Sequence, residues 1–154
     1  MEKKKVMVAI DESDCSHYAL QWALDNLHHT ILDSKLVIFT VQSTVDLGYI
    51  FASSYGSAPP ELVVSIQERN KKVAVALLEK ATEICSKHQI EAETLTEVGD
   101  PKEKICEAVD KFNIQLLVIG SHGRGTIQRA LLGSVSSYCV NHAKCPVLVV
   151  KKKD

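Results

Sequence analysis

Apolar and polar positions in this chain switch repeatedly between two periods. Residues 6–10 (VMVAI) are apolar without a break and end at Asp11-Glu12-Ser13. An unbroken apolar run of strand length predicts a strand buried on both faces, as in a parallel sheet. Ser13 then offers a hydroxyl cap, and Leu20, Ala23, Leu24 and Leu27 recur at helical spacing with Trp22 on a flank, so a helix follows. Residues 35–41 predict a second buried strand. Pro60 opens a long helix to about His88, with Leu62, Ile66, Val73, Leu77 and Ile84 on one stripe. Residues 91–98 mix in more polar positions, as a half-buried strand near a sheet edge does. Asp100-Pro101-Lys102-Glu103 places a capping side chain, a proline and an acid where a helix begins, and that helix runs to about Phe112. Residues 115–119 form the most apolar strand, 134–143 a last helix, and 146–150, bounded by Pro146 and Val150, a final strand.

Five strands separated by helices predict an α/β fold: one doubly wound, five-stranded parallel sheet joined by right-handed crossovers. At 154 residues, the chain fits one domain, 1–154, with a core that needs no metal or disulfide staples. In such sheets ligands bind beyond the carboxyl ends of the strands, where the strand order reverses. That places Asp11, Val41 and the run after Ile119 under scrutiny. Residues 43–60 mix Gly, Ser and Pro with Tyr49, Phe51 and Tyr55 without a period, and are long for a connection in a compact domain, which predicts either a functional loop or a mobile one.

Charge and cysteine content narrow the function. Eighteen basic residues against nineteen acidic ones leave a net charge of −1, so no field of one sign is available for a nucleic-acid backbone or an anionic membrane. Nucleic acid and membrane are therefore not expected partners. No apolar run approaches the roughly 18 residues of a membrane span, and none reads as a signal-peptide core. Five cysteines, odd in number and without metal-binding spacing, fit reduced thiols. A cytoplasmic protein is the expectation. His17, His28, His29, His88 and His142 lack the spacing of a metal constellation, so they read as surface or helix-end histidines and no metal site is expected.

The chemistry-bearing segment follows the fourth strand. Gly120-Ser121-His122-Gly123-Arg124-Gly125 is answered by Gly133-Ser134-Val135-Ser136 at the start of the last helix, a Gly-x2-Gly-x9-Gly-Ser pattern. Glycines allow close backbone approach, and a helix N-terminus offers unpaired amides and about half a positive charge, so phosphate oxygens can be bound without lysines. Ser134 and Ser136 can add hydroxyls, and His122 and Arg124 flank the loop. The order is neither the dinucleotide GxGxxG nor a P-loop, which would end in Gly-Lys-Ser/Thr. Asp11 and Glu12 resemble the acidic pocket of a phospho-receiver domain, but the third strand ends in Thr96-Glu97-Val98-Gly99 with no acceptor aspartate.

Taken together, residues 8–11 (VAID) with Ser13, 19–23 (ALQWA), 98–101 (VGDP), the glycine pattern and 145–150 (CPVLVV) resemble the universal stress protein family, ATP- or AMP-binding type, over about residues 4–151. The resemblance implies a flavodoxin-like, adenine nucleotide alpha hydrolase-like fold with strand order 3-2-1-4-5 that dimerises through its last strand. It further implies that Asp11 meets the ribose or adenine side of the nucleotide, Ala9, Ile10 and Val41 the base, and Gly120, Gly123, Gly133, Ser134, Val135 and Ser136 the phosphates. Residues 43–60 have no fixed pattern in such proteins.

The expected function is therefore that of an adenine-nucleotide-binding stress-response protein acting as a homodimeric, nucleotide-dependent switch. The alternatives are a slow ATP hydrolase, with a divalent ion bridging the phosphates near Asp11, and a nucleotide-independent dimeric interaction module. No nucleophile elbow or hydrolytic pair of carboxylates is present. Binding rather than efficient catalysis is expected.

Overall fold

The computed structural model describes residues 3–44, 52, 59–122 and 132–152. Their elements follow in the order β1 (Lys4–Ile10), α1 (Asp14–Asn26), α2 (His28–Leu32), β2 (Ser34–Ser43), α3 (Pro60–Lys87), β3 (Ala92–Gly99), α4 (Pro101–Lys111), β4 (Leu116–Gly120), α5 (Ser134–His142) and β5 (Val147–Val150). The strands form one sheet in the order β3-β2-β1-β4-β5, with every pairing parallel. The doubly wound α/β sheet and its order are those expected.

Continuous apolar strands follow from cores on both faces. Successive β1 side chains point to opposite sides, so Val6, Val8 and Ile10 join one buried cluster and Met7 and Ala9 the other. The first cluster packs β1 and β2 against α1, α2 and the second half of α3, around Leu20, Leu24, Ile31, Leu36 and Ile38. The second packs the opposite face against α4 and α5, around Phe39, Ile105, Val109, Leu117 and Cys139. β3 lies at an edge and alternates partly buried with exposed positions over most of its length, as its polar pattern predicts.

Two elements differ from the sequence expectation. A separate helical turn, α2, follows α1: Leu27 leaves helical geometry at φ −113, and the chain turns again to bury Ile31. In α3 the buried stripe is Ala74, Leu78, Ala81, Ile84 and Cys85, offset from the expected one, whose Val73 and Leu77 lie on its flank. Leu62 is exposed. The reason is length: 28 helical residues span about 42 Å, whereas the ten residues of β2 span about 33 Å. The first turns of α3 outrun the sheet.

Helix ends are set locally. Ser13 caps α1 by accepting the Ser16 amide, and Asp100 caps α4 by accepting the Lys102 amide. α3 and α4 end at left-handed residues, Gln89 at φ 57 and Asn113 at φ 55. In each case the next amide, of Ile90 or Ile114, reaches back to the carbonyl of Cys85 or Val109 while its apolar side chain is buried, the usual closure of a helix C-terminus.

Candidate functional site

The carboxyl ends of the strands gather the predicted residues because the turn after β1 is tied down. Ser16 is buried, and its hydroxyl accepts the Asp11 amide at 2.9 Å and donates to the Asp11 carbonyl at 3.0 Å. The Asp11 carboxylate accepts the Ser13 amide at 2.8 Å and meets the Ser13 hydroxyl as well. Beside it, the buried Thr40 hydroxyl donates to the Ile10 carbonyl at 2.8 Å, locking the end of β2 to that of β1.

Gly120 is required by a second contact. A Cβ at this position would lie 2.9 Å from the carbonyl carbon and oxygen of Cys15 and 3.0 Å from the Ser16 amide. The first turn of α1 therefore rests directly on the end of β4, which only a residue without a side chain permits.

Ser121 closes the far side. Its carbonyl accepts the Gly133 amide at 2.7 Å and the Ser136 hydroxyl at 2.8 Å, and its amide donates to the Val150 carbonyl at 3.0 Å. This buried serine brings the start of α5 beside the end of β4. In α5 the Ser137 amide is bonded to the Gly133 carbonyl at 3.0 Å, so the amides of Ser134, Val135 and Ser136 precede the first turn's hydrogen bond and are the helix's anion-attracting end.

These elements enclose a cavity of about 570 Å³, within the range of small-molecule sites. Ala9, Ile10, Phe39, Thr40, Val41, Ile119 and Gly120 form its floor, and Val73, Ala74 and Leu77 of α3 supply an apolar wall. Asp11, His122, Ser134, Val135 and Ser136 also line it. The sequence thus places nine of its twelve candidate residues on one surface. Gly133 is not among the lining residues; it is the N-cap of α5, its amide already given to Ser121. The Ser136 hydroxyl proton is likewise directed at Ser121, leaving its backbone amide as the expected donor. Gly123 and Arg124, and the loop aromatics Tyr49, Phe51 and Tyr55, lie outside the described residues.

Sequence reasoning missed Thr40, Ser16 and the start of α4. Asp100, Pro101, Lys102 and Ile105 line the cavity opposite α3. The Lys102 ammonium sits 3.1 Å from Asp100 Oδ2 and 5.9 Å from the centroid of the Tyr138 ring, and the hydrogen bond to Asp100 makes Lys102 hold its proton more firmly than a free lysine. The helix-start signature at Asp100 was legible; its convergence with α5 on one cavity was not, because it depends on sheet order.

His88 and the buried cysteines lie away from this cavity. His88 links α3 to α1 through Asp25 at 3.0 Å. Cys106 and Cys139 have sulfurs 3.9 Å apart between α4 and α5. Burial raises the Cys139 thiol far above its usual range, reinforced by Cys106. Among the described residues, no group of three or more His, Cys, Asp or Glu side chains is placed to hold a metal ion, and no helix is long and apolar enough to cross a membrane.

A sequence model of the universal stress protein family matches residues 3–151. A universal stress protein A-like protein of Arabidopsis thaliana is 32% identical over 98% of this chain and 91% of its own length. A universal stress protein family protein from Arabidopsis thaliana, solved with AMP bound, superposes with a TM-score of 0.70 at 28% identity, over 97% of this chain and 92% of that one. A universal stress protein solved in complex with cAMP superposes with a TM-score of 0.63 at 25% identity, over 97% and 98% of the two chains.

Proposed function

This chain belongs to the universal stress protein family, and from that premise we propose that it binds an adenine nucleotide, ATP or AMP, in the cavity at the carboxyl ends of its strands. The observation that carries this reading is the meeting of an apolar slot, bounded by Ala9, Val41, Val73 and Leu77, with the open N-terminus of α5 on one surface. A flat, mostly apolar base suits the slot, and a phosphate suits helix-end amides without a counter-charge of their own. Relatives solved with AMP and with cAMP support the choice of adenine.

In this reading Asp11 faces the ribose or adenine side, while Gly120, Gly123, Ser134, Val135 and Ser136 serve the phosphates, flanked by His122 and Arg124. Gly133 acts by seating α5. A divalent ion accompanying the phosphates would be held near Asp11 and would offset their charge. The protein is a cytoplasmic stress-response switch whose occupancy alters the contacts of a homodimer. The dimer surface is residues 146–150: among the described residues β5 pairs on one side only, with β4, and Val147, Leu148 and Val149 are only partly covered, an edge that a second chain can complete. Turnover is not the function.

The test is direct. Purified protein is denatured, its supernatant chromatographed, and the refolded or ligand-free protein titrated with ATP and AMP by calorimetry. Adenine nucleotide in the supernatant or saturable binding is expected; neither, together, overturns the reading. Light scattering at micromolar concentration is expected to give a dimer, and a monomer refutes the β5 interface.

A further inference from the structure

We propose that Lys102 is a residue by which the cavity distinguishes a nucleotide from its nucleoside, its ammonium taking a phosphate oxygen. This rests on the adenine-nucleotide reading above and adds a recognition residue to it.

The cavity is lined by charges of both signs. Its described lining carries three carboxylates, Asp11, Glu12 and Asp100, and a single lysine or arginine, Lys102. Helix-end amides offer only partial charge, so a full positive charge on the lining adds to what they supply. A phosphate entering here meets one full positive charge among the described residues.

Lys102 is also held in place, as a recognition residue must be. Its amide donates to Asp100 Oδ1 at 3.3 Å and its ammonium to Asp100 Oδ2 at 3.1 Å, so both ends of the residue are pinned by one carboxylate at the cap of α4. The stem crosses toward α5, where the ammonium lies 5.9 Å from the Tyr138 ring centroid. Tyr138 is four residues beyond Ser134, hence on the same face of α5 one turn along. The ammonium and the amides of Ser134, Val135 and Ser136, which attract anions, line the same cavity. An ammonium has three donors; Asp100 and the ring occupy part of that capacity, and a phosphate oxygen completes it.

The experiment is calorimetric titration of wild type, K102M and K102R with adenosine, AMP and ATP, at two salt concentrations. Wild type is expected to prefer AMP to adenosine. K102M should weaken AMP and ATP about tenfold, the range of one charge-assisted hydrogen bond, while adenosine affinity is unchanged and the salt dependence of AMP binding shrinks. K102R, which keeps the charge, should stay within about threefold of wild type. The proposal is overturned where K102M leaves the AMP-to-adenosine ratio intact, whether both affinities fall together or neither moves; the charge then comes from elsewhere. Failure of wild type to bind any of the three ligands instead removes the nucleotide reading itself. Unfolding curves for the three proteins, expected to superimpose because the Lys102 side chain is 38% exposed, separate recognition from folding.

Discussion

Gly120 offers the sharpest test of how the site is built. In Gly120→Ala the new methyl would lie 2.9 Å from two backbone atoms of Cys15, against about 3.4 Å for ordinary contact, so α1 must retreat by about 0.5 Å. The neighbour is backbone, not a flexible side chain, and the retreat loosens the turn on which Ser13, Ser16 and Asp11 depend. Overpacking of this kind costs about 1–3 kcal/mol, offset by the roughly 0.5–1 kcal/mol that alanine gains over glycine in a structured segment. The net is a loss of up to about 2.5 kcal/mol, or up to about 10 °C in Tm for a domain of this size. Urea unfolding and a thermal melt measure it, and titration with AMP should show weakened binding because the rim formed by Asp11 shifts. An alanine variant with the midpoint and affinity of wild type refutes the claim that close approach of α1 and β4 fixes this glycine.

Three further outcomes are expected. Ser16→Ala strips the Asp11 amide and carbonyl of their buried partner and should cost about 1–3 kcal/mol in urea unfolding; an unchanged midpoint contradicts the assigned role. His88 has ring nitrogens 3.0 Å from the Ile84 carbonyl and 3.0 Å from Asp25 Oδ1, acceptors that only the imidazolium satisfies at once, and its pKa is raised by the Ile84 carbonyl first and Asp25 next. Because the folded value lies above the unfolded one, the stabilisation is complete below about pH 6.5 and disappears as pH rises through the raised value. His88→Gln should flatten stability against pH across that window, and a slope equal to wild type would falsify the assignment. Cys85, whose thiol burial pushes up to about 11, and Cys139 are fully buried, so alkylation of native protein at pH 7.5 should spare both and denaturant should expose both; modification of Cys139 in the folded state counts against its burial.

The sequence made legible whatever a short stretch of chain decides for itself. Residues 6–10 read as a doubly buried strand because every position is apolar, and Asp100-Pro101 read as a helix start because cap and proline are adjacent. Asp11, Val41 and Gly120 could be assigned to one cavity because a parallel sheet collects strand ends on one side. What escaped depends on distant partners. The offset of the α3 stripe toward Ala74 and Ala81 follows from how the helix lies on the sheet, and the role of Gly120 follows from Cys15, over a hundred residues away. The helix stops at Gln89 and Asn113 are left-handed without glycine, and Gln89 carries no composition signal for it. Ser121 looked like a loop serine, although three bonds make it the anchor of α5.

The central place of β1 has a consequence for the order in which the chain takes shape during synthesis. β1 is made first, pairs early with β2 some thirty residues on, and has an open flank until β4, more than a hundred residues later, arrives at Val6–Val8. A nascent chain can therefore assemble β1, β2 and β3 with α1 and α3 while its apolar second edge waits for the last quarter to leave the ribosome. Such long-range pairing slows completion and leaves that edge exposed to misassociation. Truncation before Leu116 should accordingly yield an aggregating fragment, and the ligand cavity should come into being only as the final residues emerge.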